Sequence, residues 1–355
     1  MPASLCPGRC VRSPIAVVLV LLFCSPAFTQ RPSSMGLSPD SNPAISVNAL
    51  FLGVASSDDE RISENSDGFQ VQELEVQFSS LVDPYWKADF ILALPEGEGI
   101  EVEEGFVRSL GLGGNMQLQI GKFYAALGRH NLLHTHAFAF LDAPLVNERL
   151  LGEEGLNEAG ISLSWLTPLP WFAEVTGQVL DGRNEHFASN EGKDLLYLGH
   201  LKSFHEIGDA TTVEVGLSAA AGANSTGGTS SLHGIDLTFK WHPLGASTQR
   251  DLIWQTEYLR SDDDSHLGQV TDGLYSMVQV QFARRWWLEG RLDVMEIAEA
   301  RSGRDWRGSA LLALVPSEFS SVRLQYSRLH TDRNDANQLL MQLNVTIGSH
   351  PAHRY

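Results

Sequence analysis

A strict alternation of side chains at the end of the chain constrains its fold more than any other feature. From Leu339 to Ile347 every second residue is apolar, and most of the residues between them are polar. Successive side chains of a β-strand point to opposite faces, so this segment predicts a strand with one apolar face and one mostly polar face. Tyr355, the final residue, has the same parity as the apolar residues. The strand is therefore expected to separate an apolar environment from a polar one.

The longest apolar run of the chain lies near its amino terminus. Two arginines precede the run Ile15–Phe23, and small residues follow it. This order is typical of a secretory signal peptide, and the run is too short to span a membrane as a helix. We predict that residues 1–29 are a signal peptide and that residues 30–42 form a short lead before a folded part, residues 43–355.

Charge and cysteine content exclude several classes of function. The chain has 25 basic and 43 acidic residues, a formal net charge of -18, so nucleic acid is not an expected partner. All cysteines lie in the predicted signal peptide, as Cys6, Cys10 and Cys24. No disulfide, thiol nucleophile or thiolate metal site is therefore expected in the mature protein.

Alternation with a period of two residues recurs along the chain and predicts sixteen strands. Clear examples are Leu74–Phe78 and Ile235–Trp241, in which polar side chains stand between the apolar ones. The predicted strands start near Pro43, Phe69, Pro84, Ile100, Asn115, Glu158, Pro170, Leu195, Thr211, Leu232, Asp251, Asp272, Trp287, Arg307, Ser320 and Asn337.

The spacing of these starts carries a second signal. An odd-numbered strand starts about 24 residues before the next strand on average, whereas an even-numbered strand starts about 15 residues before it. Long and short connections thus alternate, as in a barrel with long external loops and short periplasmic turns. We predict an all-β fold, a transmembrane antiparallel β-barrel of about 16 strands at residues 43–355. A soluble β-sandwich shares the strand pattern but does not explain this alternation.

The last predicted strand resembles the closing strand of bacterial outer-membrane barrels, in which the assembly machinery recognises a final aromatic residue. The resemblance implies that Tyr355 is the assembly signal. It also implies that the barrel assembly machinery and outer-membrane lipid are partners, and that the protein resides in the outer membrane of a bacterial cell.

The connection between the fifth and sixth strands, residues 122–157, is the longest of the predicted loops. In sixteen-stranded porins the third external loop has this position and folds inward to narrow the pore. Its apolar residues, including Phe140 and Val146, are expected to pack against the barrel wall, since burial of apolar area is favourable. We predict that this loop forms the pore constriction and that its field is set by Arg129, His130, Asp142, Glu148, Arg149, Glu153 and Glu154.

The same loop resembles that of the phosphate-selective porin O/P family. The matching pattern is a Gly-basic-Phe strand end at Gly121–Phe123, a Leu-Gly turn at Leu127, a proline at Pro144 and a glycine that opens the next strand at Gly160. Uncharacterised outer-membrane proteins labelled zinc-regulated receptors look similar here and at residues 350–355. The loop carries more acidic than basic residues, which favours a weak cation preference over phosphate selectivity.

Three histidines in this loop suggest a metal site. If the segment is helical, His130 and His134 lie one turn apart on one face, which suits paired imidazole ligands, and His136 is near. The spacing indicates no further ligand. The alternative is that these histidines are solvated or bonded to backbone groups.

Two functions follow from these patterns. The first is a porin-like channel for passive diffusion of small hydrophilic solutes or ions, and the porin resemblance implies a homotrimer. The alternative is an outer-membrane receptor or binding protein for a metal such as zinc or another ligand, with a closed lumen. No enzyme and no cofactor are predicted, because the sequence contains neither a zinc-protease motif nor a nucleophile elbow.

Overall fold

Sixteen antiparallel strands form the described part of the molecule. The computed structural model describes residues 42–57, 67–97, 99–152, 154–184, 186–187, 194–224, 226–243, 250–263, 269–298, 304–332 and 334–348. The strands are β1 (Ala44–Ser56), β2 (Gly68–Leu81), β3 (Trp86–Pro95), β4 (Glu101–Ser109), β5 (Met116–Tyr124), β6 (Asn157–Leu166), β7 (Phe172–Leu180), β8 (Leu196–Ile207), β9 (Thr211–Ala223), β10 (Thr229–Trp241), β11 (Leu252–Asp263), β12 (Gln269–Ala283), β13 (Trp286–Met295), β14 (Trp306–Ser317), β15 (Ser320–His330) and β16 (Asp335–Gly348).

Every strand pairs with its neighbours in sequence, and β1 pairs with β16 to close a barrel. The closing register places Ser46 opposite Gly348 and Ser56 opposite Gln338. The predicted fold is confirmed, and each predicted strand start lies within three residues of the observed one. The alternation of connection lengths is less regular than predicted, because residues 96–100 form a short connection at the long end and residues 242–251 a long one at the short end.

The two faces of the barrel differ as the alternation predicts. In β16, Leu339 and Met341 are 46% and 53% exposed on the outer face, whereas Leu340 and Gln342 are each only 1% exposed. Exposed leucine, isoleucine, valine and aromatic side chains recur on strands throughout the barrel. An apolar outer face on a closed sheet, which has no unpaired edge, is what a lipid-facing barrel requires.

Among the described residues, no helix is long and apolar enough to span a membrane.

The connection between β5 and β6 lies inside the barrel. It contains two short 3₁₀ turns, His130–Leu132 and Thr135–Ala137, and the helix α1, Leu145–Leu151. This helix begins after Pro144, packs against β11, β12 and β13, and ends at Gly152, which has a φ of 78°. A positive φ of this kind favours glycine at a helix end. We call residues 125–156 the inward loop.

An apolar core holds the inward loop within the barrel. Loop residues Leu127, Phe140 and Val146 are at most 1% exposed, and so are the strand residues Leu196 and Leu259 that belong to the same core. The predicted inward folding of the third long loop is therefore confirmed.

Two predicted features fall outside the part of the chain that the structure describes. One is the signal peptide, residues 1–29, with most of the lead that follows it. The other is Tyr355, and both stay predictions. The described residues all lie in a single compact unit that spans Asp40–Tyr355.

Candidate functional site

A cavity of about 360 Å³ lies between the inward loop and the wall formed by β2 to β10. The loop contributes Ala126, Gly128, Arg129 and residues 132–134 to its lining. Its charged lining residues are the basic Lys87, Arg108, Arg129 and Lys202 and the acidic Glu75, Asp89, Glu104, Glu174, Glu214 and Asp236. Such a lining suits water and small hydrophilic solutes, not lipid.

Arg129 is the charged group that the inward loop extends toward β8 and β9. Its guanidinium forms an ion pair with Glu214 of β9, and the ammonium of Lys202 on β8 lies 3.1 Å from the other oxygen of that carboxylate. All three side chains line the cavity. Two cations and one anion therefore meet on the wall of the predicted constriction.

The backbone beside Arg129 is fixed by the buried carboxylate of Glu257 on β11. The amides of Arg129 and His130 donate to Glu257 Oε2 at 3.2 and 3.0 Å, and the amide of Gly128 donates to Ser218 Oγ at 3.0 Å. Gly128 has a φ of 62°, and a Cβ at this position would lie 2.1 Å from Glu257 Oε1. The Leu-Gly turn therefore requires glycine for both conformation and space.

Three arginines on adjacent strands hold the middle of the inward loop. We call them the arginine anchor: Arg291 on β13, Arg307 on β14 and Arg323 on β15. Arg291 Nη2 and Arg307 Nη1 lie 2.8 and 3.1 Å from the two carboxylate oxygens of Asp142. Arg323 donates to the carbonyl oxygen of Phe138 at 2.6 Å.

Further acidic groups balance the positive charge of the arginine anchor. Asp293, which is fully buried, accepts from Arg291 Nε at 2.9 Å, and Glu148 of α1 lies 3.2 Å from Arg307 Nη1. Burial alone would raise the pKa of Asp142, but the charges of Arg291 and Arg307 hold it below its ordinary value. Cations and anions are thus closely matched on this side of the loop.

A second charged group joins the inward loop to β2 and β4. We call it the glutamate cluster, and it consists of Glu73 and Glu75 on β2, Glu103 and Glu104 on β4, and the loop residues His134 and His136.

The imidazole rings of the glutamate cluster lie between its carboxylates. His134 Nδ1 is 3.0 Å from Glu103 Oε1 and 3.6 Å from Glu75 Oε2, and its Nε2 is 3.1 Å from Glu104 Oε2. His136 Nδ1 is 2.9 Å from Glu75 Oε2. Burial disfavours a charge on His134, yet hydrogen bonds to Glu103 and Glu104 and their charges hold its pKa well above the ordinary value.

His130 does not join the other two histidines. Its ring lies 4.4 Å from that of Phe138 and 6.2 Å from that of Tyr275, measured between centroids. Burial, with a contribution from the charge of Arg291, lowers the pKa of His130 to about 3. The condition of a helical segment is not met, because His130 lies in the first 3₁₀ turn and the extended residues Leu133 and His134 precede the second.

The remaining predicted constriction residues are scattered. Arg149 is half exposed and lies 3.4 Å from Asp305, and Glu154 is exposed. Glu153 lies outside the described residues. The structure therefore brings Asp142 and Glu148 to the arginine anchor, places Arg129 on the cavity, and joins neither Arg149 nor Glu154 to them.

The comparisons with known proteins support the fold. No family model matches the chain. An uncharacterised protein of Aquifex aeolicus is 28% identical over 363 residues, which covers 88% of this chain and 75% of that protein.

Among solved structures, the anion-selective porin of Comamonas acidovorans matches with a TM-score of 0.56 at 10% identity, and the match covers 86% of this chain and 98% of that one. OmpF of Salmonella typhi, solved with daunomycin, matches with a TM-score of 0.57 at 12% identity over 88% of this chain and 99% of that one. This is the fold of bacterial outer-membrane porins. A closed sixteen-stranded barrel with an apolar outer face is an outer-membrane architecture, as the sequence predicted.

Proposed function

We propose that the protein is an outer-membrane channel through which small hydrophilic solutes or ions diffuse passively. The observation that carries the proposal is the cavity beside the inward loop, which is lined by ten acidic and basic side chains within a barrel whose outer face is apolar. A sixteen-stranded barrel is wide enough to leave an aqueous lumen. The inward loop occupies part of that lumen and sets the size limit.

The charges of the cavity favour a weak preference for cations. Its lining has six carboxylates against four lysine or arginine side chains. A constriction selects ions by the sign of its field, whereas charges on outer loops are screened within about 8 Å at physiological salt.

Phosphate selectivity has less support, even though the loop resembles that of the phosphate-selective O/P family. Arg291 and Arg307 bind Asp142, and Arg323 binds a loop carbonyl oxygen and Gln342. These arginines are committed to the loop and do not form an anion-binding surface on the passage.

The test is conductance of the purified protein in a planar bilayer, with the reversal potential measured across a salt gradient. The wild type should conduct and show a small cation preference. Glu214→Gln removes the anion that pairs with Arg129 and Lys202, so the reversal potential should shift toward anion preference.

Asp305→Asn is the matched control, since Asp305 also pairs with an arginine but lies outside the cavity lining. Its reversal potential should equal that of the wild type. Equal shifts in the two variants would place the selectivity elsewhere than in the cavity. Absence of any conductance would favour the alternative, a receptor or binding protein with a closed lumen.

We extend the proposal to a homotrimer that is assembled by the barrel assembly machinery through Tyr355. One of the structural neighbours, OmpT of Vibrio cholerae, has been solved in a trimer form, with a TM-score of 0.57 at 8% identity over 86% of this chain and 100% of that one. Mass measurement of the protein in detergent tests this part separately from conductance.

A further inference from the structure

The glutamate cluster holds more negative charge than its own cations can balance. Four carboxylates converge on two imidazoles, so the cluster keeps an excess of negative charge even when both rings are protonated and one carboxylate takes up a proton. The side chains of Glu75 and Glu103 are only 3% and 9% exposed. Burial of uncompensated charge is costly unless a cation neutralises it.

Two buried oxygen atoms of the cluster also lack a hydrogen-bond partner. They are Oε2 of Glu103 and Oε1 of Glu73. Both residues belong to groups in which carboxylate oxygens and imidazole nitrogens lie within 4.8 Å of one another. Buried polar atoms in native proteins are almost always paired, so these oxygens leave the cluster able to accept a ligand.

We propose that the glutamate cluster binds one divalent transition-metal ion of the zinc class, with Glu75, Glu103 and His134 as ligands. Bonds of zinc to nitrogen and oxygen are about 2.0–2.2 Å long, so ligand atoms at tetrahedral angles lie about 3.3–3.6 Å apart. His134 Nδ1 lies 3.0 and 3.6 Å from the oxygens of Glu103 and Glu75. Small side-chain shifts therefore suffice to admit the ion.

The groups around these three residues have the arrangement that a metal site needs. A metal-bound histidine usually donates its other ring N–H to a carboxylate, and Nε2 of His134 lies 3.1 Å from Glu104 Oε2. The hydroxyl of Tyr124 donates to Glu103 Oε1 at 2.7 Å and orients that carboxylate. His136 lies beside Glu75 and supplies a further nitrogen close to the ion.

The donor atoms select the class of metal. Calcium and magnesium prefer sets of oxygen ligands, whereas a mixture of imidazole nitrogen and carboxylate oxygen suits zinc and its neighbours among the divalent transition metals. His134, Glu75 and Glu104 line the cavity, so an ion in the lumen can reach the site. Bound there, it would link the inward loop to β2 and β4. This inference goes beyond the proposed channel and does not depend on it.

The test uses the full-length barrel, folded in detergent, stripped of metal with a chelator and titrated with zinc chloride. Calorimetry and elemental analysis should give one zinc ion per chain. Glu75→Gln and Glu103→Gln should each weaken zinc binding at least tenfold, and Glu104→Gln should weaken it about 10- to 100-fold. Glu174→Gln is the matched control, because it removes a carboxylate from the same cavity without touching the cluster, and its affinity should be unchanged.

X-ray absorption at the zinc edge of the wild type provides a second measurement that needs no variant to fold. It should show imidazole nitrogen and carboxylate oxygen in the first coordination shell. The proposal is overturned by wild-type protein that takes up no stoichiometric zinc, by a shell without imidazole, or by Glu75→Gln and Glu103→Gln variants that bind zinc as the wild type does. Conductance is measured separately, so a failure here leaves the channel proposal standing.

Discussion

The arginine anchor and the glutamate cluster hold the same loop against different strands of the barrel, β13 to β15 in the first case and β2 and β4 in the second, but they differ in charge balance. In the arginine anchor, Arg291 and Arg307 face Asp142, Glu148 and Asp293, and Arg323 adds a third positive charge. In the glutamate cluster, four carboxylates face two histidines. The charges of a balanced buried group neutralise one another and hold the loop in place. A buried group with surplus negative charge needs a bound cation to neutralise it.

Removal of one member of the balanced group should have the largest effect. Arg291, whose side chain is 1% exposed, contacts the carboxylates of both Asp142 and Asp293. Arg291→Ala leaves two buried anions with fewer partners, and the free energy of unfolding should fall by about 3–5 kcal/mol. Guanidinium unfolding of the barrel in lipid vesicles measures the change.

Arg328→Ala is the control for that measurement. Arg328 pairs with Asp335 at 2.8 Å, but both side chains are about half exposed, at 52% and 42%. An exposed pair contributes little to stability, so this variant should unfold almost as the wild type does. If the two substitutions had equal effects, the arginine anchor would not hold the loop.

The second prediction is a change of the opposite sign in the free energy of unfolding. In metal-free protein at alkaline pH, where all four carboxylates are ionised, Glu73→Gln removes one of the like charges of the glutamate cluster, so the free energy of unfolding should rise by about 1 kcal/mol, the size of a repulsion at 4 Å in a water-like medium. Asp293→Asn, which removes a carboxylate from the balanced group, should instead destabilise the barrel. Chemical unfolding in a chelator compares the two, and the same sign for both would contradict the difference in charge balance.

The smallest effect is expected at the exposed end of α1. Arg149 is 50% exposed and lies 3.4 Å from Asp305. Arg149→Ala should change the free energy of unfolding by less than about 0.5 kcal/mol, since it breaks only a solvated pair. It should also leave the reversal potential unchanged. A shift as large as that of Glu214→Gln would show that Arg149 belongs to the constriction.

The strands were predictable because alternation depends only on local geometry. The spacing of residues such as Leu339 and Met341 in the sequence predicts which face of the strand carries them, whatever their partners are. The same parity marks Glu73 and Glu75 as luminal, and it also marks Arg291, Arg307 and Arg323, which were not among the predicted site residues. Three arginines at luminal positions of successive strands indicate a basic group that faces the lumen.

The partners of these residues were not predictable in the same way. Glu75 meets Glu103 only because β3 sets the register between β2 and β4, and both meet His134 only because the loop turns twice without a repeating pattern. A helical period, the condition for pairing His130 with His134, does not hold in this loop, and the ring of His130 lies instead beside Phe138 and Tyr275.

The apolar core inside the lumen bears on the order of assembly. Leu196, Leu232 and Leu259 lie near the end of the barrel from which the inward loop enters, and each is at most 1% exposed. A barrel that closed with the loop outside would leave these leucines against water, at the cost of their burial. Docking of the loop in the lumen therefore stabilises the closed barrel, and a barrel assembled without the loop inside it is less stable.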